Sequence, residues 1–223
     1  TFNNLVEKNV ISWGVMIGGY VEVGDGHSAL HLLEEMENEG MKANDMIYVC
    51  SLKACGMIDD LSKGMHLQNE IVKLGCEKSV IVGSTLVDMY ARCGRLAEAC
   101  KVFEDLPERN VVTWAAIIGG LAEQGHGYLS LQLFESMQHD ATHLEPDRVI
   151  YLCVLKACSS LCLLRQGRVV HDQILKSGLD CNEVTLNNSI IDMYAKCRQI
   201  TDACKVFHGL HEKNIVSWST IIS

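Results

Sequence analysis

The sequence predicts an all-α fold, a right-handed α-solenoid of stacked helix–turn–helix repeats. Three observations predict it. First, the chain copies itself. Residues 86–118 read LVDMYARCGRLAEACKVFEDLPERNVVTWAAII and residues 190–222 read IIDMYAKCRQITDACKVFHGLHEKNIVSWSTII, a step of 104 with roughly half the positions identical. Second, apolar residues recur at helical spacing between short turn signals. Third, the only prolines are Pro107 and Pro146, and no Ser/Gly-rich linker interrupts the pattern, so no internal domain boundary is expected. A fixed period of this kind marks a repeat array. One helix pair cannot bury its own apolar face, so neighbouring pairs must stack, and stacking creates an extended concave surface.

The elements follow in order. Residues 1–9 are the tail of a short unit. Residues 10–44 open on VISW and Ile17-Gly18-Gly19, and residues 111–147 open on VVTW and Ile118-Gly119-Gly120. Residues 45–79 and 148–183 each hold Leu-Lys-Ala-Cys and a later Lys-x-Gly. Residues 80–110 and 184–214 each hold Asp-Met-Tyr and Lys-Val-Phe, and residues 215–223 begin another unit. Unit lengths run 35, 35 and 31, then 37, 36 and 31. Each unit reads as two helices. In residues 80–110, Val82, Leu86, Met89 and Tyr90 form one stripe, Cys93-Gly94 breaks it, and Leu96, Ala99, Cys100, Val102 and Phe103 form the next. Gly40, Gly75 and Gly178 suit left-handed helix ends. Gly24-Asp25-Gly26 and Gly125-His126-Gly127 suit turns within a pair. Trp13, Trp114 and Trp218 share one register position and are expected in the core.

Composition bounds the function. Hydrophobic residues at 48% support a continuous core, and 21% charged residues are ordinary for a globular chain. No uncharged run reaches the ~18 residues of a membrane span, so no membrane partner is expected. No leader is visible, and the chain starts and stops inside a repeat, which reads as a piece of a longer protein. Eleven cysteines would fit a disulfide scaffold, but Cys50/Cys153, Cys55/Cys158, Cys93/Cys197 and Cys100/Cys204 are copied positions. Cysteine at such positions behaves as a small buried hydrophobe, so reduced thiols and a reducing compartment are expected.

Chemistry-bearing motifs are scarce. There is no HExxH, GxxxxGKS/T or GxSxG, and Cys158-x-x-x-Cys162 has the wrong spacing for a zinc hook. Asp88 and Asp192 belong to different units and read as helix-face carboxylates rather than acid/base partners. No catalytic residue, metal, cofactor or small-molecule substrate is therefore expected.

These motifs resemble the pentatricopeptide repeat family, specifically its plant type that alternates standard, long and short repeats. VISWGVMIGGYVEVGDGHSALHLLEEM, SLKACGMIDDLSKGMHLQNEIVKLG and TLVDMYARCGRLAEACKVFEDLPERN are similar to its three motif types, and the likeness covers essentially the whole chain. Departures are Ala43, where the family usually has proline, and a two-residue expansion near Thr142 and His143. The resemblance implies recognition of single-stranded organellar RNA at about one base per repeat, through two or three side chains. It implies base reading by a repeat's fifth and last residues. These are Gly14 with Asn44, Ser84 with Asn110, Ala115 with Asp147 and Asn188 with Asn214, and Ser219 in the last, partial repeat. It implies packing on the base plane by Ile11, Ile81, Val112, Thr185 and Val216. By the family's code Ser84 with Asn110 reads adenine, Asn188 with Asn214 a pyrimidine, and Ala115 with Asp147 leans to guanine. Gly14 offers no side chain. The long repeats pair Val49 with Ser79 and Leu152 with Glu183, whose apolar members cannot hydrogen-bond, and are expected to act as spacers.

Charge opposes this expectation at first sight, since the net charge is −9 and nucleic-acid binders usually present a basic face. The acid is unevenly placed. Charges on the expected first helices cancel, whereas second-helix segments hold Glu34, Glu35, Glu37, Glu39, Glu135, Asp140, Glu145 and Asp147. Lys53, Arg92, Lys156 and Lys196 recur between copies and are the phosphate candidates. The implied function is a non-catalytic RNA-recognition array of a mitochondrial or chloroplast RNA-processing factor, with C-to-U editing the favoured process and other editing factors as further partners. A deaminase-like domain would lie beyond Ser223. The alternative is a helical scaffold for protein–protein interaction, which a 34-residue period would fit better than lengths of 35, 35 and 31.

Overall fold

The computed structural model describes residues 9–76, 78–140, 144–179, 184–210 and 212–222. The tail at residues 1–8, the expansion at Thr142 and His143, and Glu183 lie outside them. Among the described residues there are thirteen α-helices and no strands. They are α1 (Val10–Glu22), α2 (Gly26–Asn38), α3 (Asp45–Ile58), α4 (Leu61–Leu74), α5 (Val80–Arg92), α6 (Leu96–Asp105), α7 (Val111–Glu123), α8 (Gly127–His139), α9 (Arg148–Ser160), α10 (Leu164–Ser177), α11 (Val184–Lys196), α12 (Ile200–Gly209) and α13 (Ile215–Ile222).

The chain divides into two compact units, Thr1–Ile117 and Ile118–Ser223, with the division inside α7. In the first unit α1, α3 and α5 lie side by side; α2 covers α1 and α3, and α4 covers α3 and α5. In the second, α9, α11 and α13 form the row, α10 covers α9 and α11, and α12 covers α11 and α13. Each unit is thus two layers deep, odd-numbered helices in one and even-numbered in the other. This is the stacked-hairpin plan of an α-solenoid.

Local chemistry explains the hairpins. Each turn within a pair carries one left-handed residue: Gly24, Asp59, Gly94, Gly125, Cys162 and Arg198. Gly40, Gly75 and Gly178 are left-handed as well, and they follow second helices. Asp25 and Asp60 then start α2 and α4 by accepting the backbone N–H of Ser28 and Lys63, each at 3.0 Å.

Between the layers Trp13, Ile17, Leu33 and Met36 are fully buried in the first unit, and Ile150, Val154, Ile174 and Ile190 in the second. Two aromatic pairs repeat across the copies. Phe103 meets Trp114 edge-on at 4.8 Å, with the Arg109 guanidinium 4.8 Å from the Phe103 ring centre. Phe207 meets Trp218 at 4.9 Å, with Lys213 Nζ 5.5 Å from its ring centre. Trp218 differs from the expectation of a core residue, being 52% exposed. One ring edge rests on Phe207, and among the described residues no further helix covers the other side of α13. Ten cysteines lie among the described residues and all are free thiols; Cys55 and Cys158 are buried outright.

Candidate nucleic-acid interface

The sequence-nominated residues fall on the odd-numbered helices and on the residues just before them. Four of the five packing candidates are large apolar side chains left in solvent: Ile11 is 74% exposed, Ile81 65%, Val112 63% and Val216 52%. Thr185 is exposed too. Each lies on the second residue of its helix, so the exposure recurs with the repeat.

The last-residue candidates share a local role that sequence inspection missed. Asn44 Oδ1 accepts the N–H of Ile47 at 3.0 Å, and Asp147 Oδ1 that of Ile150 at 2.9 Å. Asn110 Oδ1 accepts from Thr113 and Asn214 Oδ1 from Ser217, each backbone N–H at 2.9 Å. All four are helix N-caps. The signal was present as Asn-x-x-Thr at 110–113 and Asn-x-x-Ser at 214–217. Because a backbone N–H can only donate, the amide atom facing it is oxygen, and each Asn Nδ2 points elsewhere.

The fifth-residue candidates differ from one another. Gly14 is half-buried, and a Cβ there would lie 3.4 Å from Ile47 Cγ1. Ala115 is half-buried. Ser84 is only 5% exposed, and its Oγ lies 2.6 Å from the Val80 carbonyl and 2.7 Å from Thr113 Oγ1. Asn188 is 8% exposed, and its Oδ1 has no hydrogen-bond partner among the described residues. Ser219 is exposed and donates to the Val216 carbonyl at 2.9 Å. Of the expected spacers, Val49 is buried and Leu152 half-buried.

In the second unit these groups gather around an open cavity of about 580 Å³, whose lining includes Leu152, Lys156, Thr185, Asn188, Lys196 and Val216. Cys153 also lines it, but burial pushes its thiol up to about 11, so it stays protonated near neutrality. An orphaned buried amide oxygen is unfavourable by roughly 1–3 kcal/mol unless something bonds to it.

The phosphate candidates are all exposed but not equally available. Arg92 Nε is 2.9 Å from Asp88, and Lys196 Nζ is 2.9 Å from Asp192, each carboxylate one turn earlier on the same helix. Ser159 Oγ also donates to Asp192 at 2.7 Å. Lys53 and Lys156 make no ion pair among the described residues. Asp88 and Asp192 therefore act as charge partners, a role their one-turn spacing from Arg92 and Lys196 could have signalled.

Comparison with known proteins identifies the architecture. The model of the PPR repeat family matches residues 11–41, 84–111, 112–140 and 188–215, a little over half of the chain. The chain is 37% identical over 222 residues to the pentatricopeptide repeat-containing protein At3g15130 of Arabidopsis thaliana, covering 99% of this chain and 32% of that protein. It is 34% identical over 223 residues to the chloroplastic relative At4g18520 and 34% over 222 residues to the mitochondrial relative At2g03880 of the same plant. These alignments cover all of this chain and 36% and 34% of the relatives. The chain thus spans about a third of the length of these relatives. Among solved structures, the crystal structure of PPR10, a maize protein, in complex with an 18-nt psaJ RNA element superposes with a TM-score of 0.75 at 17% identity. It covers 97% of this chain and 32% of that one. The chain belongs to the pentatricopeptide repeat family.

Proposed function

We propose that this chain is a sequence-specific single-stranded RNA-binding array, reading about one base per repeat, within an organellar RNA-processing factor that serves C-to-U editing. The observation that carries most weight is Asn188. Its amide oxygen is buried yet unpartnered, and it lines a cavity whose wall also bears Lys156 and Lys196. A splayed base can satisfy the amide while the lysines meet phosphate, the division of labour of single-strand readers. The apolar residues at the second helical position, exposed in repeat after repeat, supply surfaces on which bases can rest.

Relatives supply further support. PPR10, whose fold this chain shares, binds an RNA element, and the named relatives include chloroplastic and mitochondrial proteins. On the family's reading positions, the fifth and last residues of the standard and short repeats, reading falls to Ser84/Asn110, Ala115/Asp147 and Asn188/Asn214. Residues 45–79 and 148–183 are spacers.

The test is RNA binding by the wild-type chain and by Asn188→Asp and Asn214→Asp, on oligonucleotides differing at one position. Each change removes amide donors and adds a negative charge, so affinity falls about fivefold or more and the base preferred at a single position changes. Unaltered affinity and preference in both variants would instead favour the protein-binding scaffold, which the net charge of −9 would suit.

A further inference from the structure

Two copies of one contact differ in chemistry. Asp59 and Cys162 hold the same place in their repeats, the left-handed residue of the turn after α3 and after α9, with φ of 58° and 54°. Cys93 and Cys197 likewise follow α5 and α11, the helices packed against α3 and α9. In the first unit the turn residue reaches the neighbouring repeat, where the Cys93 thiol donates to the Asp59 carboxylate. In the second unit a thiol stands in place of that carboxylate. Cys162 Sγ lies 3.6 Å from the Lys196 carbonyl oxygen, on the peptide bond that leads into Cys197. A side chain at this place meets the cysteine across the repeat boundary, and here both partners are sulfur.

The surroundings give the two thiols unequal access. Cys162 is the one exposed cysteine among the described residues, whereas Cys197 is half-buried. Burial, with Cys162 as a lesser contributor, raises the Cys197 thiol above its usual range. A third sulfur, Cys158, is fully buried on α9 and pushed up to about 12, again chiefly by burial. An accessible thiol beside a sheltered one is the arrangement of an attacking and a resolving cysteine.

We propose that Cys162 and Cys197 are a peroxide-sensitive pair whose disulfide ties residues 148–183 to residues 184–214. The Cys162 sulfur, losing its proton, attacks one oxygen of hydrogen peroxide. The O–O bond breaks, the other oxygen leaves as water, and Cys162 becomes a sulfenic acid. The Cys197 sulfur then attacks that sulfur, the S–O bond breaks, and the hydroxyl departs as a second water with the Cys197 proton. Two thiols lose two electrons in all, and the peroxide is reduced to two waters. The bond joins two walls of the cavity, since Ser160 and Lys196, close neighbours of the two cysteines in sequence, both line it. Neither cysteine is a nominated RNA contact, so the pair operates whether or not the array reads bases.

The experiment treats the reduced chain with hydrogen peroxide, alkylates the remaining thiols and locates cross-links by mass spectrometry of the digest. The expected product is a single chain lighter by two hydrogens, with Cys162 joined to Cys197 and the link reversed by dithiothreitol. Its thermal midpoint rises by about 5 °C or more, because the bond closes a loop between positions 35 residues apart. Cys162→Ser and Cys197→Ser each abolish the link and the shift, whereas Cys158→Ala keeps both. Asp59→Cys, beside Cys93, gains a second link of the same kind, which tests the contact even should Cys197→Ser fail to fold. The proposal is overturned if Cys162 stays reduced or proceeds to sulfinic acid without linking. A link between two chains, or one from Cys197 to Cys158, overturns it as well.

Discussion

Asn44, Asn110, Asp147 and Asn214 each stand one residue before a helix and accept an otherwise orphaned backbone N–H. Asn44 separates that role from base reading, because its nominated partner, Gly14, has no side chain. Asn44→Ala is expected to lower stability by about 0.5–2 kcal/mol in thermal or denaturant unfolding, with base preference unchanged. Asn110→Ala and Asn214→Ala are expected to lower both. The repeat register was legible at this scale, since Ser84 and Asn110 return as Asn188 and Asn214 at a step of 104. What covers each position was not. Ser84 and Asn188 occupy the same place in their repeats, but Ser84 meets a bonded hydroxyl, that of Thr113, whereas in the copy Ser217 bonds Asn214 and Asn188 Oδ1 has no partner among the described residues. Spacing fixes which helix face a residue is on, not whether a neighbour's rotamer reaches it.

Among elements, α5 and α11 each carry a carboxylate and a cation one turn apart. Exposed pairs of this kind are worth about 0.2–1 kcal/mol, too little to keep a phosphate from displacing the carboxylate. The double variant Asp88→Asn/Asp192→Asn is expected to bind RNA several-fold more tightly than wild type. The control, Glu35→Gln/Glu135→Gln on α2 and α8, alters charge equally and is expected to change binding little; equal gains in both would show a net-charge effect only. Hairpin packing gives a second expectation. A Cβ on Gly26 would lie 2.8 Å from Ile58 Cγ2 and 3.0 Å from the Ala54 carbonyl oxygen, so Gly26→Val should cost about 1–3 kcal/mol, measured by unfolding. Helix placement was legible because apolar stripes and Gly turns coincide in Gly24-Asp25-Gly26 and Gly125-His126-Gly127. The turns at Asp59, Cys162 and Arg198 carried no such glycine signal, yet each adopts the same left-handed backbone.

For the whole molecule, charge and thiols set the response to solution conditions. With four candidate phosphate cations, log affinity for single-stranded RNA should fall with log salt at a slope on the order of −3 at most, and submicromolar binding insensitive to salt would contradict this. Burial pushes the Cys55 and Cys158 thiols up to about 12 from the ordinary 9.0. A raised thiol pKa favours the folded chain fully below about pH 9; as pH climbs toward 12 the unfolded chain ionises first and that contribution is lost. Denaturant midpoints should therefore decline above pH 9 in wild type and less steeply in Cys55→Ala/Cys158→Ala.

The residues that end repeats bring the scales together. A side chain that must launch the next helix can be exchanged at small cost only among Asn, Asp, Ser, Thr and Gly. Retargeting such an array to a new transcript would therefore draw on a five-letter alphabet at those positions, whatever the base demands. Foldability would edit the recognition code before selection for any RNA could act.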